Sequence, residues 1–321
     1  MRFLVNPSTD PYFNMAFDEY CLTQYSRPEP VFYLWRNRPS VIIGLNQNAF
    51  SEVNLEYLEN NGILLARRVT GGGAVYHDLQ NLNYSIAGPR GLTPGPVVEA
   101  LKRMGVPAEQ GGRNDIFVEG RKVSGYARRV WQDRELIHGT LMYDVDMDAL
   151  TQALDVPGSK MEAKGIASVH SRVANLKDWL PGSASVTDFA GRLHALLAGD
   201  DAGTEPDHQM LEAVRKLADG KFSRWEWIYG HSREVSFSRR ARFACGTVEA
   251  GILLEHGRIR EIRFSGDFIG NLPADTLADR LTGAEFDRIR LEAILETCVI
   301  ESVFPGVTAA EFAEFLTSRN N

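Results

Sequence analysis

Residues 67–78, Arg67-Arg68-Val69-Thr70-Gly71-Gly72-Gly73-Ala74-Val75-Tyr76-His77-Asp78, constrain this chain more than any other stretch. Three consecutive glycines remove every Cβ from one short piece of backbone. Such a piece reaches φ > 0 freely and can lie directly against a ligand, its N–H groups turned inward as an anion cradle. Two arginines precede it and a His-Asp pair follows, a grouping that points to a phosphate or carboxylate site. Taken alone, the stretch serves equally well as a glycine-rich hairpin turn with solvated arginines. It is neither a P-loop, GxxxxGK followed by Ser or Thr, nor a dinucleotide fingerprint, GxGxxG. The rest of the chain has to decide.

At 321 residues the chain has room for a large core, in one big domain or two unequal ones. A composition of 44% hydrophobic and 24% charged residues is that of an ordinary globular protein. The formal charge of −7 argues against a general nucleic-acid binder, so any nucleotide is expected in a local pocket. Three cysteines, Cys21, Cys245 and Cys298, lie far apart and form no CxxC pair. That pattern excludes a disulfide scaffold and a thiolate zinc site, and fits a reducing compartment. The first residues are too poor in apolar side chains for a signal peptide, and no apolar run approaches the ~20 residues of a membrane span. A cytoplasmic protein without membrane attachment is expected.

Periodicity and turn chemistry divide the chain into elements. Asp10-Pro11 followed by Tyr12 to Tyr25 reads as a capped helix. Val31 to Leu45 reads as two strands broken at Asn37-Arg38-Pro39-Ser40, and Asn54 to Asn60 as a short helix. Strands are expected over Ile63 to Arg67, Val75 to His77, Leu82 to Ala87 and His138 to Val145. Asn114 to Gly125 reads as a hairpin turning at Glu119-Gly120. Helices are expected over Val97 to Met104, Met147 to Leu154, Val186 to Leu197 and His208 to Leu217. Trp225, Trp227 and Tyr229 alternate like a buried strand edge, read as interdomain packing. Beyond Gly230 come three strands, Val235 to Phe243, Gly246 to Leu254 and Gly257 to Phe264, with a turn near Glu255-His256-Gly257. Helices over Ala274 to Leu281, Ala284 to Val299 and Ala309 to Leu316 follow, an order that suggests a small α+β domain. The expected division is residues 1–230 and 231–321.

Several further motifs stand in order along the chain. Asn81, Asn83 and Ser85 alternate onto one strand face, next to the glycine turn. Then come Gly111-Gly112-Arg113-Asn114-Asp115-Ile116 and Arg121-Lys122-Val123-Ser124-Gly125-Tyr126-Ala127. His138-Gly139-Thr140-Leu141 and Ser168-Val169-His170-Ser171-Arg172-Val173-Ala174-Asn175-Leu176 complete the series. This ordered set resembles the lipoate–protein ligase family. The tail around Phe222, Trp225, Trp227, Gly230, Phe243, Gly246, Val248 and Glu249 is similar to that family's C-terminal accessory domain. One departure is visible: Gln80 stands where the family often has glycine, in His-Asp-x-Gly-Asn.

The resemblance implies an α/β (α+β) fold shared with biotin ligases and octanoyltransferases, a large mixed-sheet domain with a smaller C-terminal α+β domain. It also implies an adenylate-forming enzyme. Lipoate is activated by ATP with Mg²⁺ to lipoyl-AMP, and the lipoyl group is then passed to a lysine of a lipoyl domain of a 2-oxoacid dehydrogenase E2 subunit, or of the glycine-cleavage H protein. A monomer is expected. Both reactants of the first step are anionic, so the barrier is chiefly charge repulsion and positioning. Arg68 and the amides of Gly71, Gly72, Gly73 and Ala74, with Val75 beside them, are candidates to hold phosphate or carboxylate oxygens. Asn114 is a candidate for adenine or phosphate, and Asp115 for a carboxylate near Mg²⁺. His77, Asn81, Ala127 and His138 complete the candidate binding set.

Lys122 is the candidate catalytic residue. By position alone it is a solvated hairpin lysine; the flanking Val-Ser-Gly-x-Ala gives it an electrostatic role, on the acid, the acyl carbonyl and the departing AMP. Arg172 and Asn175 are read as structural or acceptor-facing, and Cys21 as a small core hydrophobe. Two rivals share the superfamily. A cysteine-dependent octanoyl- or lipoyl-transferase needs a low-pKa thiol, and no cysteine lies between Leu22 and Ala244. The other alternative, a transferase that accepts ready-made lipoyl-AMP, shares the adenylate pocket and stays open here. Biotin ligation lacks its Gly-Arg-Gly-Arg loop.

Overall fold

The computed structural model describes residues 2–25, 28–112, 114–154, 173–180, 185–230, 235–268 and 271–318. They form two compact units, Met1–Asn46 with Glu52–Ile228, and Gln47–Ser51 with Tyr229–Asn321. Residues 168–172 of the last motif and Arg113 lie outside the described residues.

In the larger unit the chain begins with strand β1 (Arg2–Phe3) and helix α1 (Pro11–Thr23). Asp10 caps α1, accepting from the amides of Tyr12 and Phe13, with Pro11 in the first turn where its missing N–H costs nothing. Strands β2 (Val31–Trp35) and β3 (Ser40–Ile43) follow; helix α2 (Ala49–Glu52) belongs to the smaller unit except for its last residue, and short helix α3 (Leu55–Asn60) resumes the larger one. Next come β4 (Leu64–Arg67), β5 (Val75–His77), β6 (Asn81–Pro89) and helix α4 (Gly95–Arg103). Strands β7 (Ala108–Gly111), β8 (Asp115–Val118), β9 (Arg121–Trp131) and β10 (Arg134–Met142) complete the sheets. Helix α5 is Met147–Leu154, α6 Val186–Ala198, α7 His208–Leu217 and α8 Trp225–Ile228.

Seven strands form one mixed sheet in the order β1-β2-β6-β10-β9-β8-β7, and β4-β3-β5 form a second. The two strands expected between Val31 and Leu45 therefore pair in different sheets, because the break at Asn37–Ser40 redirects the chain. The seven-stranded sheet has an apolar and a partly polar face, set by the period of two along each strand. Leu82, Tyr84 and Ile86 of β6 pack with Leu101, Ile137 and Phe189 on one face. The alternate residues Asn81, Asn83 and Ser85 are equally buried on the other. There α1 packs Met15, Phe17 and Cys21 against Val31, Tyr33 and Trp35. Polar side chains are thus placed under a helix in an otherwise apolar layer.

In this unit one expected boundary and one expected element type change. The strand expected from His138 starts at Arg134, because β9 runs on to Trp131 and the two strands make a hairpin around Gln132-Asp133. Trp225 and Trp227 lie on the short helix α8, not on a strand. Spacing of two fits either form in so short a segment.

The smaller unit has an antiparallel sheet of β11 (Val235–Phe243), β12 (Gly246–Glu255) and β13 (Arg258–Gly266). His256 and Gly257 both take positive φ, 50° and 73°, the backbone a tight two-residue hairpin requires. Helices α9 (Asp275–Leu281), α10 (Arg288–Glu296), α11 (Ile300–Val303) and α12 (Ala309–Thr317) cover the sheet. The single helix expected over Ala284 to Val299 is shorter, since Asp287 caps its start at Arg288. Ile252, Leu254, Leu291, Leu295, Phe304 and Phe312 lie in this unit's own core.

Candidate active site

The glycine turn leaves β4 at the edge of the smaller sheet and doubles back into β5. Its shape is set by Arg68, which is buried. Nε of Arg68 donates to Thr70 Oγ1 and the Gly71 carbonyl, both at 3.1 Å. Nη2 donates to the carbonyls of Gly71 at 2.7 Å and Gly73 at 2.8 Å, and Nη1 to that of Ile42 at 2.9 Å. In a trans peptide the N–H points opposite to the C=O. Drawing the Gly71 and Gly73 carbonyls onto the guanidinium therefore turns the N–H groups of Gly72 and Ala74 away from it. Among the described residues no partner accepts from the amides of Gly71, Gly72 or Gly73. Burial lowers the Arg68 pKa to about 10, which leaves the guanidinium charged at neutral pH. Arg68 is thus the brace of the cradle more than an exposed fork for a ligand. Two glycines are sterically required. Gly72 has φ +95°, and a Cβ there would stand 2.9 Å from Arg68 Nη2. A Cβ on Gly44, at the end of β3, would meet the Gly72 carbonyl oxygen at 2.1 Å.

Facing strands supply the rest of the cavity. Glu119 and Gly120, both at positive φ, turn β8 into β9, and Lys122 follows immediately on β9. Its ammonium lies 2.8 Å from Asp115 Oδ1 on β8. Asn114 Nδ2 donates to the Tyr126 carbonyl at 2.6 Å, and the Tyr126 amide donates back to the Asn114 carbonyl. Asn114 thereby ties the start of β8 to β9. The Gly125 amide donates to Thr140 Oγ1 at 3.1 Å, joining β9 to β10.

On the polar face, Asp18 of α1 gathers three partners. Its carboxylate accepts from Tyr33 Oη at 2.7 Å and Ser85 Oγ at 2.8 Å, and stands 2.6 Å from His138 Nδ1. The other ring nitrogen of His138 is 2.7 Å from Thr70 Oγ1. Both nitrogens of His138 are therefore engaged internally, and the ring links α1 to the residue before the glycines. His77 on β5 is also buried, its Nδ1 3.0 Å from Asn37 Nδ2. Burial, then the nearby charges of Arg68 and His138, depress its pKa to about 3, so the ring is neutral.

Arg68, Gly72, Gly73, Ala74, Val75, His77, Asn114, Lys122, Ala127 and His138 line one cavity of about 590 Å³, part of it open to solvent. Three other candidates, Gly71, Asn81 and Asp115, are not among the residues that line it. Gly71 gives its carbonyl to Arg68, Asn81 donates to Asn83 Oδ1 at 2.9 Å, and Asp115 holds Lys122. Met15, Trp35 and Ile42 add an apolar wall that the motifs did not mark. Their only sequence signal was membership of hydrophobic elements, shared with dozens of core residues. Gln80 is not among the residues at positive φ, so the turn after Asp78 does not need the glycine the family often has there. Asp78 caps that turn by accepting from the amides of Gln80 and Asn81.

Residues 10–198 match the family described as lipoyl protein ligase A/B catalytic domain, and residues 232–316 match the bacterial lipoate protein ligase C-terminus. Lipoate-protein ligase LplJ of Bacillus subtilis (strain 168) is 34% identical over 331 residues, spanning 98% of this chain and 100% of that protein. The chain belongs to the lipoate–protein ligase family. Two solved members of that family share its fold closely. A bipartite lipoate protein ligase of Thermoplasma acidophilum, described together with its E2 lipoyl domain, is 32% identical with a TM-score of 0.64, over 72% of this chain and 97% of that one. A lipoate-protein ligase A bound with ATP is 30% identical with a TM-score of 0.62, over 72% and 98%.

Membership also bears on the cysteine-dependent rival. None of the cysteines Cys21, Cys245 and Cys298 lines the cavity. Burial raises the Cys21 thiol well above its ordinary pKa, the opposite of what a nucleophile needs.

Proposed function

We propose that this chain is an ATP-dependent lipoate–protein ligase, which converts free lipoate to lipoyl-AMP and then acylates one lysine of a lipoyl domain. The observation that carries this reading is the meeting, in one cavity, of the glycine cradle and Lys122 on β9. An amide cradle suits phosphate oxygens, and the ammonium suits the carboxylate that must approach them. The wall of Met15, Trp35 and Ile42 suits the aliphatic tail of the acid.

In the first step a lipoate carboxylate oxygen attacks the α-phosphorus of ATP, and the bond to pyrophosphate breaks. The free amides of the glycine turn hold phosphate oxygens, while Lys122 draws the carboxylate against them and offsets the repulsion between two anions. In the second step the acceptor amine attacks the acyl carbon, AMP leaves with the bonding pair, and the amine gives up its proton to solvent. Lys122 stabilises charge on the acyl oxygen and on the AMP phosphate in turn.

Magnesium is expected to travel with the triphosphate. We assign Asp115 to Lys122 rather than to the ion, because its Oδ1 is paired with the ammonium. Among the described residues no group of three or more His, Cys, Asp or Glu side chains could hold a metal. The acceptors proposed are an E2 lipoyl domain and a glycine-cleavage H protein, met by a monomer in the cytoplasm. Residues 1–230 are assigned the chemistry and residues 231–321 an accessory role. Among the described residues no helix is long and apolar enough to cross a membrane.

The test is intact-mass analysis of an apo lipoyl domain incubated with the protein, lipoate, ATP and magnesium. The expected result is one lipoyl adduct, lost when ATP is omitted and restored by synthetic lipoyl-AMP. Labelling with lipoyl-AMP but never with lipoate plus ATP would replace this reading by the transferase that lacks activation.

A further inference from the structure

His77 carries a directed N–H that nothing described in the protein uses. The direction is dictated from a distance, through a chain of buried amides. Asn14 Nδ2 lies 3.0 Å from the Arg36 carbonyl oxygen and 3.3 Å from that of Ser8. Carbonyl oxygens only accept, so the group facing them must be the NH₂ of Asn14. The same NH₂ donates at 2.7 Å to Asn37, which must therefore present its oxygen there. Asn37 is then left with its NH₂ toward His77, at 3.0 Å from Nδ1. A donor facing Nδ1 requires a bare lone pair on it, and the neutral ring carries its proton on Nε2. Asn14, Asn37 and His77 are 1%, 0% and 2% exposed, so water does not compete with this relay. At the far end, Nε2 is buried and has no hydrogen-bond partner among the described residues. The ring lines the cavity beside Ala74, Val75 and Trp35.

We propose that Asn14 and Asn37 lock His77 as its Nε2–H tautomer, and that this N–H donates to an oxygen of the ligand bound in the cavity. The inference rests on the ligase reading for the ligand's identity, but the lock is a property of the free protein. A ligand oxygen that accepts from Nε2 meets a donor whose direction is already fixed, so little ordering is needed to form the bond. Two oxygens fit that chemistry, the carboxylate of the acid and a phosphate of ATP. Asn37 and Asn14 touch neither; they are positioning residues acting through His77.

Long-range ¹⁵N–¹H correlation spectra of the protein, ¹⁵N-labelled at histidine, read the tautomer directly. His77 is assigned by the signal missing in His77→Gln. The expected spectrum shows a protonated Nε2 and a bare Nδ1 that do not titrate between about pH 5 and 8. Lipoate and ATP are then added separately, with binding of each followed by calorimetry. The ligand that moves the His77 Nε2–H resonance identifies the accepting oxygen. His77→Gln, whose amide nitrogen reaches the Nε2 position, should bind that ligand within ~3-fold of the parent, whereas His77→Phe weakens it by ~10-fold. Asn37→Leu should populate the Nδ1–H tautomer in the free protein. A protonated Nδ1 in the parent overturns the lock. An Nε2–H unmoved by either ligand, while calorimetry shows both bound, overturns the donation. Failure of both ligands to bind overturns the ligase reading and the donation together, and the free-protein spectrum still decides the lock.

Discussion

The Lys122 ammonium stands 2.8 Å from Asp115 Oδ1 across the β8–β9 pair, in the wall facing the glycine turn. Gly125 makes room for it: a Cβ there would lie 3.0 Å from Nζ and 3.1 Å from Cε. The candidate catalytic cation is therefore held in place by a carboxylate on one side and by a missing side chain on the other. On the reading proposed above, Asp115 anchors Lys122 and is not a metal ligand. Asp115→Asn keeps the shape and removes the charge, and lipoate-dependent turnover should fall roughly 10- to 100-fold. The magnesium concentration giving half-maximal rate should not change; a raised magnesium requirement would return Asp115 to the metal.

The glycines of the turn should not be equivalent. Gly72→Ala puts a Cβ at φ +95° and 2.9 Å from Arg68 Nη2, whereas a Cβ on Gly71 meets nothing within 4 Å. A left-handed alanine alone costs about 1–2 kcal/mol. Steady-state kinetics should show KM for ATP raised ~10-fold or more in Gly72→Ala, and within ~3-fold of the parent in Gly71→Ala. Equal effects would mean that the cradle is not held in this conformation.

Arg68→Met tests the brace. It keeps much of the length but strands the carbonyls of Ile42, Gly71 and Gly73. Leaving a buried carbonyl without its donor costs on the order of 1–3 kcal/mol. Urea unfolding should report a loss of that size, with ATP affinity falling as well. A variant with parental stability and reduced ATP affinity would instead make Arg68 a direct phosphate ligand.

Much of this site was legible from local pattern. The alternation of Asn81, Asn83 and Ser85 predicts a shared face, because a strand has a strict period of two, and the three are buried together. The turn at Glu119-Gly120 is equally local and puts Lys122 on a hairpin; its role at the glycines comes from the family resemblance. What local pattern could not reach were pairings made by the tertiary fold. Asp18 sits on α1 among aromatic and acidic neighbours, and only the packing of α1 on the sheet brings it to His138 and Ser85. Asn37 reads as part of a loop break, and its hydrogen bond to His77 spans forty residues. Arg68 was legible as a cation near the glycines. Its inward direction was not, because nothing in the motif says which way a guanidinium turns.

His77 also predicts a pH dependence of stability. Its folded pKa of about 3 lies below the ordinary 6.5, because burial excludes the charged ring. Above about pH 6.5 both states hold the ring neutral and the residue adds no pH dependence. Between about pH 6.5 and pH 3 the unfolded chain takes up a proton that the folded chain refuses, so stability falls as pH is lowered. Urea unfolding at pH 7 and pH 5 should show a smaller acid loss in His77→Gln than in the parent. An unchanged acid loss would place the titration elsewhere.

Lipoate-dependent exchange of radiolabelled pyrophosphate into ATP isolates the activation step from any acceptor protein, and Lys122→Ala is its sharpest variant. The account predicts exchange in the parent that requires lipoate, and a fall of at least ~100-fold in Lys122→Ala with the fold intact. Absence of exchange in the parent, or parental exchange in Lys122→Ala, would contradict it.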